Sequence, residues 1–362
     1  MKIIEETKLD FDDVLLVPSR SNTASRRDVE LSRGFKFFHS TKDWNGTPIM
    51  ASNMDSTGTI KMAEAFNSSK MITCLHKHYK AEHIVDFFKN NNMSSYAWVS
   101  IGMNDDELNK LDYINGQLNY TPNICIDIAN GYTEKFVGWC YKIRERYGDS
   151  PIVMAGNVAT PDMVQELILH GGVDIVKIGV GPGSACTTRL KTGVGYPQLS
   201  AIMECSHAAH GLKSAEKRMG LICADGGCRY PGDVCKAFAG NADFVMLGGM
   251  FAGTDECEGE WEYYDSIPSK NTLVPRKKKN MIFYGMSSAK AQEKYSGGLD
   301  SYKASEGRIK RIPHKGPVKL VLKDILGGLR SCCAYVGATR LKDLPKCANA
   351  VKVNKIHFDK TV

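Results

Sequence analysis

No stretch of this sequence is long and apolar enough to span a bilayer. The opening residues, MKIIEETKLD, have neither the apolar core of a secretory signal nor an amphipathic Arg-rich transit pattern. The closing residues, Asp359-Lys360-Thr361-Val362, match no sorting address. No pair among the 12 cysteines forms CxxC, and no CxxC…HxxxH spacing occurs. The cysteines sit instead inside apolar runs such as Ile124-Cys125-Ile126 and Ile222-Cys223-Ala224, as reduced intracellular thiols do and members of a disulfide framework do not. A cytoplasmic protein with no membrane partner is expected.

Neither sign of charge dominates. The formal net charge is +7 and the basic residues are spread out, which suits an anionic small molecule as well as it suits nucleic acid. The densest basic run, Arg276-Lys277-Lys278-Lys279, follows Pro275 and has no interleaved aromatics, so it is expected to be a solvated loop rather than a docking patch. The expected partner is a small-molecule substrate and not a nucleic acid. Missing too is any strand followed by GxGxxG with an acidic residue about 20 positions on, which weakens an open dinucleotide-binding sheet.

What the chain does have is 362 residues, 43% of them hydrophobic, enough for a sizeable core. Eight apolar runs recur: Pro48–Asn53, Met71–Lys77, Ser95–Gly102, Asn123–Asn130, Pro151–Asn157, Ile175–Gly181, Gly220–Gly226 and Asp243–Gly249. Continuous rather than alternating apolar character predicts strands buried on both faces of a parallel sheet. Helical patterns lie between them, such as Thr133–Tyr147 and Pro161–His170, the second opened by Thr160-Pro161 and closed by Gly171-Gly172. Eight βα units over about 48–249 predict a (β/α)8 TIM barrel in one catalytic domain spanning 1–362. Residues 250–312 are polar, and Val318–Leu329 is a last helical stretch. The segment 250–362 is therefore expected to be a C-terminal elaboration over the barrel mouth.

The sixth run leads straight into Gly179-Val180-Gly181-Pro182-Gly183-Ser184-Ala185-Cys186-Thr187-Thr188-Arg189. Three glycines and a proline force a tight loop with exposed backbone, able to cradle an anion with N–H groups or a cation with carbonyls. An average cysteine is one more small buried hydrophobe. Cys186 instead occupies a glycine-rich loop at the C-terminal end of a barrel strand, where barrel enzymes keep their active sites, and nearby Arg189 and loop N–H dipoles favour a thiolate. Runs seven and eight end in Asp225-Gly226-Gly227 and Gly248-Gly249. Either pair could be turn geometry alone; both together, after strands seven and eight, suit a barrel phosphate site. Asp225 is placed to accept from two sugar hydroxyls. A phosphorylated sugar or nucleotide and a thiol nucleophile are the expected chemistry.

The segments GVGPGSACTTRLKTGVGYPQLSA, ADGGCRYPGDV and ADFVMLGGMF resemble the inosine-monophosphate dehydrogenase and guanosine-monophosphate reductase family, from about Leu9 to Lys355. Within it, Lys191–Pro197, Phe283–Ser288, Ala304–Gly307 and Asp324–Ser331 look like the reductase version. No gap between strands is long enough for the nucleotide-sensing module that the dehydrogenases usually insert.

The resemblance implies NADPH-dependent reductive deamination of GMP to IMP and ammonia. It makes Cys186 the nucleophile at purine C2, with Thr188 and Glu306 the proton-transfer pair. Ser184, Asp225, Gly226, Gly227, Gly248, Gly249, Gly285, Met286, Ser287, Lys303, Ala304, Ser305 and Gly307 would hold the nucleotide. Ser25, Arg26 and Lys77 resemble residues that grip the adenosine phosphate end of the cofactor. Asp127, Ile128 and Ala129 would lie near its nicotinamide ribose, and Val180, Gly181, Met286, Tyr302, Lys303, Ser331, Cys332, Cys333 and Ala334 would complete its site. Gly181, Gly183, Cys186 and Arg189 resemble a monovalent-cation loop, K+ being the expected ion, and the family implies a homotetramer.

The sequence departs from the reductase pattern at Lys303, usually Arg, and at Cys332 and Ala334, which replace hydroxyl-bearing residues. The stretches Ser214–Met219 and Trp261–Asn280 are longer than expected and read as surface insertions. Two other functions stay open at this point. An inosine-monophosphate dehydrogenase needs an Arg-Tyr pair in a flap, and the Arg-Tyr pairs here, Arg146-Tyr147 and Arg229-Tyr230, lie in a helix pattern and a turn. A non-catalytic nucleotide-binding protein would have lost Cys186, Thr188 or Glu306.

Overall fold

In the computed structural model, which describes residues 1–91, 93, 95–264 and 277–354, the eight apolar runs become parallel strands. They are β1 (Ile49–Ala51), β2 (Ile72–Leu75), β3 (Ala97–Ile101), β4 (Ile124–Asp127), β5 (Val153–Val158), β6 (Ile175–Ile178), β7 (Leu221–Asp225) and β8 (Phe244–Leu247). Each pairs with the next, and β8 pairs back onto β1 through Val245↔Ile49 and Leu247↔Ala51, closing the barrel.

Alternation along each strand sends one set of side chains inward and the other outward. Met50, Ile72, Cys74, Trp98, Cys125, Met154, Ile175, Cys223, Phe244 and Met246 fill the barrel. Ile49, Ala51, Leu75, Val99, Ile124, Ile126, Val176, Ile222 and Val245 join the layer between sheet and helices. Three of the inward residues are cysteines, which are small enough to sit among Trp98 and the methionines. Burial pushes the Cys74 and Cys223 thiols well above the usual range, so they behave as packing groups. A hairpin of Arg33–Lys36 and Asp43–Gly46 joins this inner cluster through Phe35 and Trp44, whose rings lie 4.5 and 5.3 Å from that of Phe244. Trp98 is fully buried, with its Nε1 donating to the Ser95 carbonyl at 3.2 Å. Replacing it with alanine should cost about 3–5 kcal/mol in urea unfolding; a loss under about 1 kcal/mol would mean that the interior repacks.

The surrounding helices are α1 (Ile60–Asn67), α2 (Ala81–Asn90), α3 (Asp105–Leu118), α4 (Glu134–Tyr147), α5 (Pro161–Leu169), α6 (Gln198–Gly211), α7 (Pro231–Ala239) and α8 (Val318–Val336). The last of these packs against both α7 and α1, the position of the eighth barrel helix. The stretch Val318–Leu329, grouped from sequence with an elaboration over the mouth, thus belongs to the barrel wall, and the eighth βα unit runs past 249 to 336. What separates β8 from α8 is not a run of loops. It folds into a three-stranded antiparallel sheet of β9 (Trp261–Tyr263), β10 (Lys278–Tyr284) and β11 (Ile309–Pro313), with a helix at Ala289–Ser296.

The insertion at Ser214–Met219 falls on a small hairpin of Lys213–Ser214 with Lys217–Arg218. Of the Trp261–Asn280 insertion, residues 265–276 lie outside the described residues; these include Pro275 and Arg276 of the basic run, and the tail residues Asp359–Val362 do so as well. Among the described residues no helix is long and apolar enough to cross a membrane.

Candidate active site

The loop after β6 carries Cys186 to the C-terminal end of the barrel. The Cys186 N–H donates to the Gly183 carbonyl at 3.0 Å, and Cys186 forms an antiparallel bridge with Gly307. That bridge extends through two further backbone bonds, from Thr187 N–H to the Glu306 carbonyl at 2.8 Å and from Arg308 N–H to the Ala185 carbonyl at 2.9 Å. Two loops more than a hundred positions apart in sequence are thereby stitched side by side.

Side chains follow the backbone. The Cys186 Sγ lies 3.1 Å from the Thr188 Oγ1, and that hydroxyl donates to the Glu306 Oε2 at 2.6 Å. Because a threonine hydroxyl has one hydrogen and Glu306 takes it, the thiol is left as donor to Thr188. The result is a continuous path for a proton from sulfur to carboxylate.

Cys186 stands where two recesses meet. One, of about 200 Å3, is lined by Ser184, Cys186, Asp225, Gly226, Gly227, Gly248, Gly249, Gly285 and Met286, all expected from the sequence. Gly226 and Gly227 have φ of +85° and +88°, which only glycine adopts cheaply. A Cβ on Gly249 would meet the Ser184 Oγ at 2.8 Å, so the bare backbone lets that hydroxyl in. The other recess is a cleft of about 750 Å3 that also contains Thr188 and Glu306. Lys77, Asp127, Ile128, Ala129, Val180, Gly181 and Ser287 line it. Ser287, expected at the nucleotide, is thus on the cleft side.

A residue that sequence reasoning missed ties the two recesses together. Lys177, fully buried on β6, binds the Asp127 carboxylate, lies 3.2 Å from the Asp225 Oδ2 and reaches the Asn53 Oδ1 at 3.5 Å. Asn157 donates to the same Asp225 oxygen at 2.9 Å. Burial opposes the lysine's charge, but Asp127 and then Asp225 outweigh it and hold the ammonium well above its ordinary range. Burial would likewise raise Asp127, and the Lys177 ammonium overrides it, keeping the carboxyl below the usual range. The signal was present in the sequence as a lysine inside the apolar strand Ile175-Val176-Lys177-Ile178. Lys177→Met leaves two half-buried carboxylates without their buried cation. It should cost about 3–5 kcal/mol of stability, as breaking a buried pair does, whereas Lys177→Arg should retain most of it. Equal unfolding midpoints for wild type and Lys177→Met would contradict this.

The antiparallel sheet is anchored over the mouth by Asp55, which accepts from the Tyr284 hydroxyl at 2.6 Å, the Tyr295 hydroxyl at 2.7 Å and the Lys294 Nζ at 3.0 Å. Tyr295 in turn stacks on His78 at 3.5 Å beside the cleft.

Other expected residues lie apart from both recesses. Tyr302, Lys303 and Ala304 are exposed, with Lys303 paired to Asp300 at 2.7 Å. Ser305 turns to the Ala289 N–H at 2.9 Å, and Gly307 is the backbone partner of Cys186. Ser25 and Arg26 sit at a short turn packed on α8, where Arg26 lies 5.6 Å over the Tyr335 ring. Ser331, Cys332, Cys333 and Ala334 belong to that same end of α8. These six residues form a second group on the outer wall, outside the cleft lining.

Of the expected cation loop, Gly181 and Gly183 border the cleft. Arg189 points its guanidinium at Asp10, at 3.0 Å, and at the Val180 and Tyr196 carbonyls. A guanidinium has no acceptor, so Arg189 has only its backbone carbonyl to offer a cation. No cluster of three acidic, His or Cys ligands occurs among the described residues.

Residues 8–359 match the model of the IMP dehydrogenase / GMP reductase domain. Among curated proteins the chain is 50% identical over 355 residues to a GMP reductase of Serratia proteamaculans, covering 98% of this chain and 97% of that one. It is 49% identical over 360 residues to a GMP reductase of Escherichia coli O81 and 48% identical over 357 residues to that of Buchnera aphidicola, with the same coverage. With a barrel whose sixth-strand loop brings a cysteine, a threonine and a glutamate into one hydrogen-bonded line, and with that extent of likeness, the chain belongs to the IMP dehydrogenase / GMP reductase family.

Proposed function

We propose that this chain is an oxidoreductase that reductively deaminates GMP to IMP and ammonia with NADPH, as a purine-interconverting and salvage enzyme. The observation that carries the proposal is the Cys186–Thr188–Glu306 line at the junction of the two recesses.

GMP would occupy the smaller recess, its phosphate against Ser184 and the glycine backbone and its ribose hydroxyls on Asp225. Lys177 and Asn157 hold that carboxylate in place. Cys186 gives its proton to Glu306 through Thr188, and the sulfur bonds purine C2. Making C2 tetrahedral frees the exocyclic nitrogen from the aromatic system, and the proton stored on Glu306 returns through Thr188 so that ammonia leaves. Once C2 has gained hydride, collapse would expel Cys186 with its electron pair, and a proton taken up from solvent would pass through Glu306 and Thr188 to restore the thiol.

The larger cleft fits an extended polar ligand. Glu107 Oε2, Asn157 Oδ1 and His78 Nε2 are buried there without hydrogen-bond partners, and Lys77 supplies positive charge. When bound, NADPH supplies hydride to C2. Lys77 would hold its phosphate end and Asp127 its nicotinamide ribose. A charge-assisted phosphate contact is worth about 1.5–3 kcal/mol. Lys77 and Arg26 together should therefore favour NADPH over NADH by at least about a hundredfold in kcat/KM, and equal values would refute these two assignments.

Ser25, Arg26 and the Ser331–Ala334 group join Lys77 at one cofactor only if the outer wall of one copy meets the cleft of another, which supports a homotetramer. A monovalent cation, K+, would be held by the backbone carbonyls of Gly181, Gly183 and Cys186, with Arg189 bracing the loop from outside. The 12 free thiols suit a cytoplasmic location.

Mixing protein, GMP and NADPH at neutral pH and following nicotinamide absorbance tests the proposal. Steady loss of NADPH with IMP formed is expected. No turnover, together with NAD-dependent oxidation of IMP, would overturn it.

A further inference from the structure

Away from the reaction centre, α7 and α8 cross closely because α8 has Gly328 at the contact. A Cβ on Gly328 would lie 2.7 Å from the Pro231 Cβ. One helical turn further along each helix, Pro231 is followed by Cys235 and Gly328 by Cys332, so the two cysteines share the same level of the crossing. The Cys235 thiol lies 3.7 Å from the Gly328 carbonyl, at the turn where Cys332 begins. The Cys235 thiol thus faces the turn that Cys332 closes, which makes the two thiols neighbours across the crossing. Cys235 is buried and Cys332 half-buried. Contact with Cys235 lowers the Cys332 thiol below its usual range although burial opposes this, so Cys332 is the one suited to react.

We propose that Cys235 and Cys332 form a reversible disulfide that clamps α7 to α8 and weakens cofactor binding when the enzyme meets peroxide. The Cys332 thiolate attacks one oxygen of hydrogen peroxide, the O–O bond breaks and hydroxide leaves, taking a proton to become water. The Cys235 sulfur then attacks the sulfur of the resulting sulfenic acid, the S–O bond breaks and a second water departs with the Cys235 proton. Two thiols lose two electrons and one peroxide becomes two waters.

Drawing the neighbouring sulfurs to about 2.05 Å pulls the last turns of α8 toward α7. Those turns carry Ser331–Ala334, so the effect on binding rests on their proposed role at the cofactor; formation of the bond does not.

The test uses the full chain with Cys186→Ala, which removes the other reactive thiol. After treatment with hydrogen peroxide, peptide mass spectrometry under non-reducing conditions should find a Cys235–Cys332 peptide two hydrogens lighter than its reduced parts. NADPH fluorescence titration should show at least fivefold weaker binding, reversed by dithiothreitol and absent in a variant that also carries Cys332→Ser. Peroxide-treated protein with both thiols free, or with Cys332 oxidised without a partner, overturns the disulfide. A crosslinked protein that binds NADPH as tightly as the reduced one overturns the regulatory claim alone. If untreated protein binds no NADPH at all, the proposed function fails and not the disulfide.

Discussion

Cys186→Ala should abolish turnover, by at least about ten-thousandfold in kcat, while GMP still binds within a few fold of wild-type affinity. The loss is large because the other thiol lining the recess, Cys228, is pushed well above the usual range by burial and is not tied to the relay. Cys186 is the thiol in contact with the Thr188–Glu306 relay, and without its bond to C2 that relay has no tetrahedral carbon from which to expel the amine. Binding survives because Ser184, Asp225 and the glycine backbone are untouched. Calorimetry with GMP and a steady-state assay separate the two effects. Activity above a hundredth of wild type in the alanine variant would sink the covalent route.

Glu306→Gln should separate the two halves of the reaction. The amide keeps the size of the side chain and can still hydrogen-bond the Thr188 hydroxyl, which sits 2.6 Å from Glu306 in the native chain, but it cannot take or return a proton. Departure of ammonia requires that proton, and transfer of hydride to carbon does not. A general acid–base group typically contributes about 10²–10⁴-fold, so steady-state GMP reduction should fall by that range. In the reverse direction Glu306 serves only to take the Cys186 proton, which solvent can also accept, so IMP with NADP+ should lose less and still yield a burst of NADPH in a single turnover. Equal losses in both directions would make Glu306 a positioning residue rather than a proton carrier.

The fold was legible in the sequence where burial on both faces leaves an unbroken apolar run: seven barrel strands fall inside the runs picked out that way, and β5 overruns its run by one residue, Val158. The eighth helix was not. Its residues were recognised as helical, but the sheet and helix inserted after β8 part them from their strand, and nothing in local periodicity reveals which distant element a helix packs against. At the site, Cys186, Asp225 and the glycine pairs stood out because strand ends of a barrel have fixed functions. Glu306 is different. It lies in a polar stretch whose composition is that of an ordinary surface loop, and only the resemblance pointed to it. The backbone bridge to Cys186 that brings it in is a long-range contact. Lys177 was hidden by averaging, since one charge in an apolar strand does not change the strand's character, yet it holds carboxylates of both recesses.

Hydride transfer to the carbon that loses its amine is the step that separates reductive deamination from simple hydrolysis of the same group. Incubating the enzyme with GMP and NADPH deuterated at the transferable position, then analysing the product by mass spectrometry and proton NMR, reads it directly. The expected product is IMP with one deuterium at C2, formed with one ammonia for each NADPH consumed. Ammonia release with no deuterium at C2, or with an oxygen there instead, would contradict the assignment.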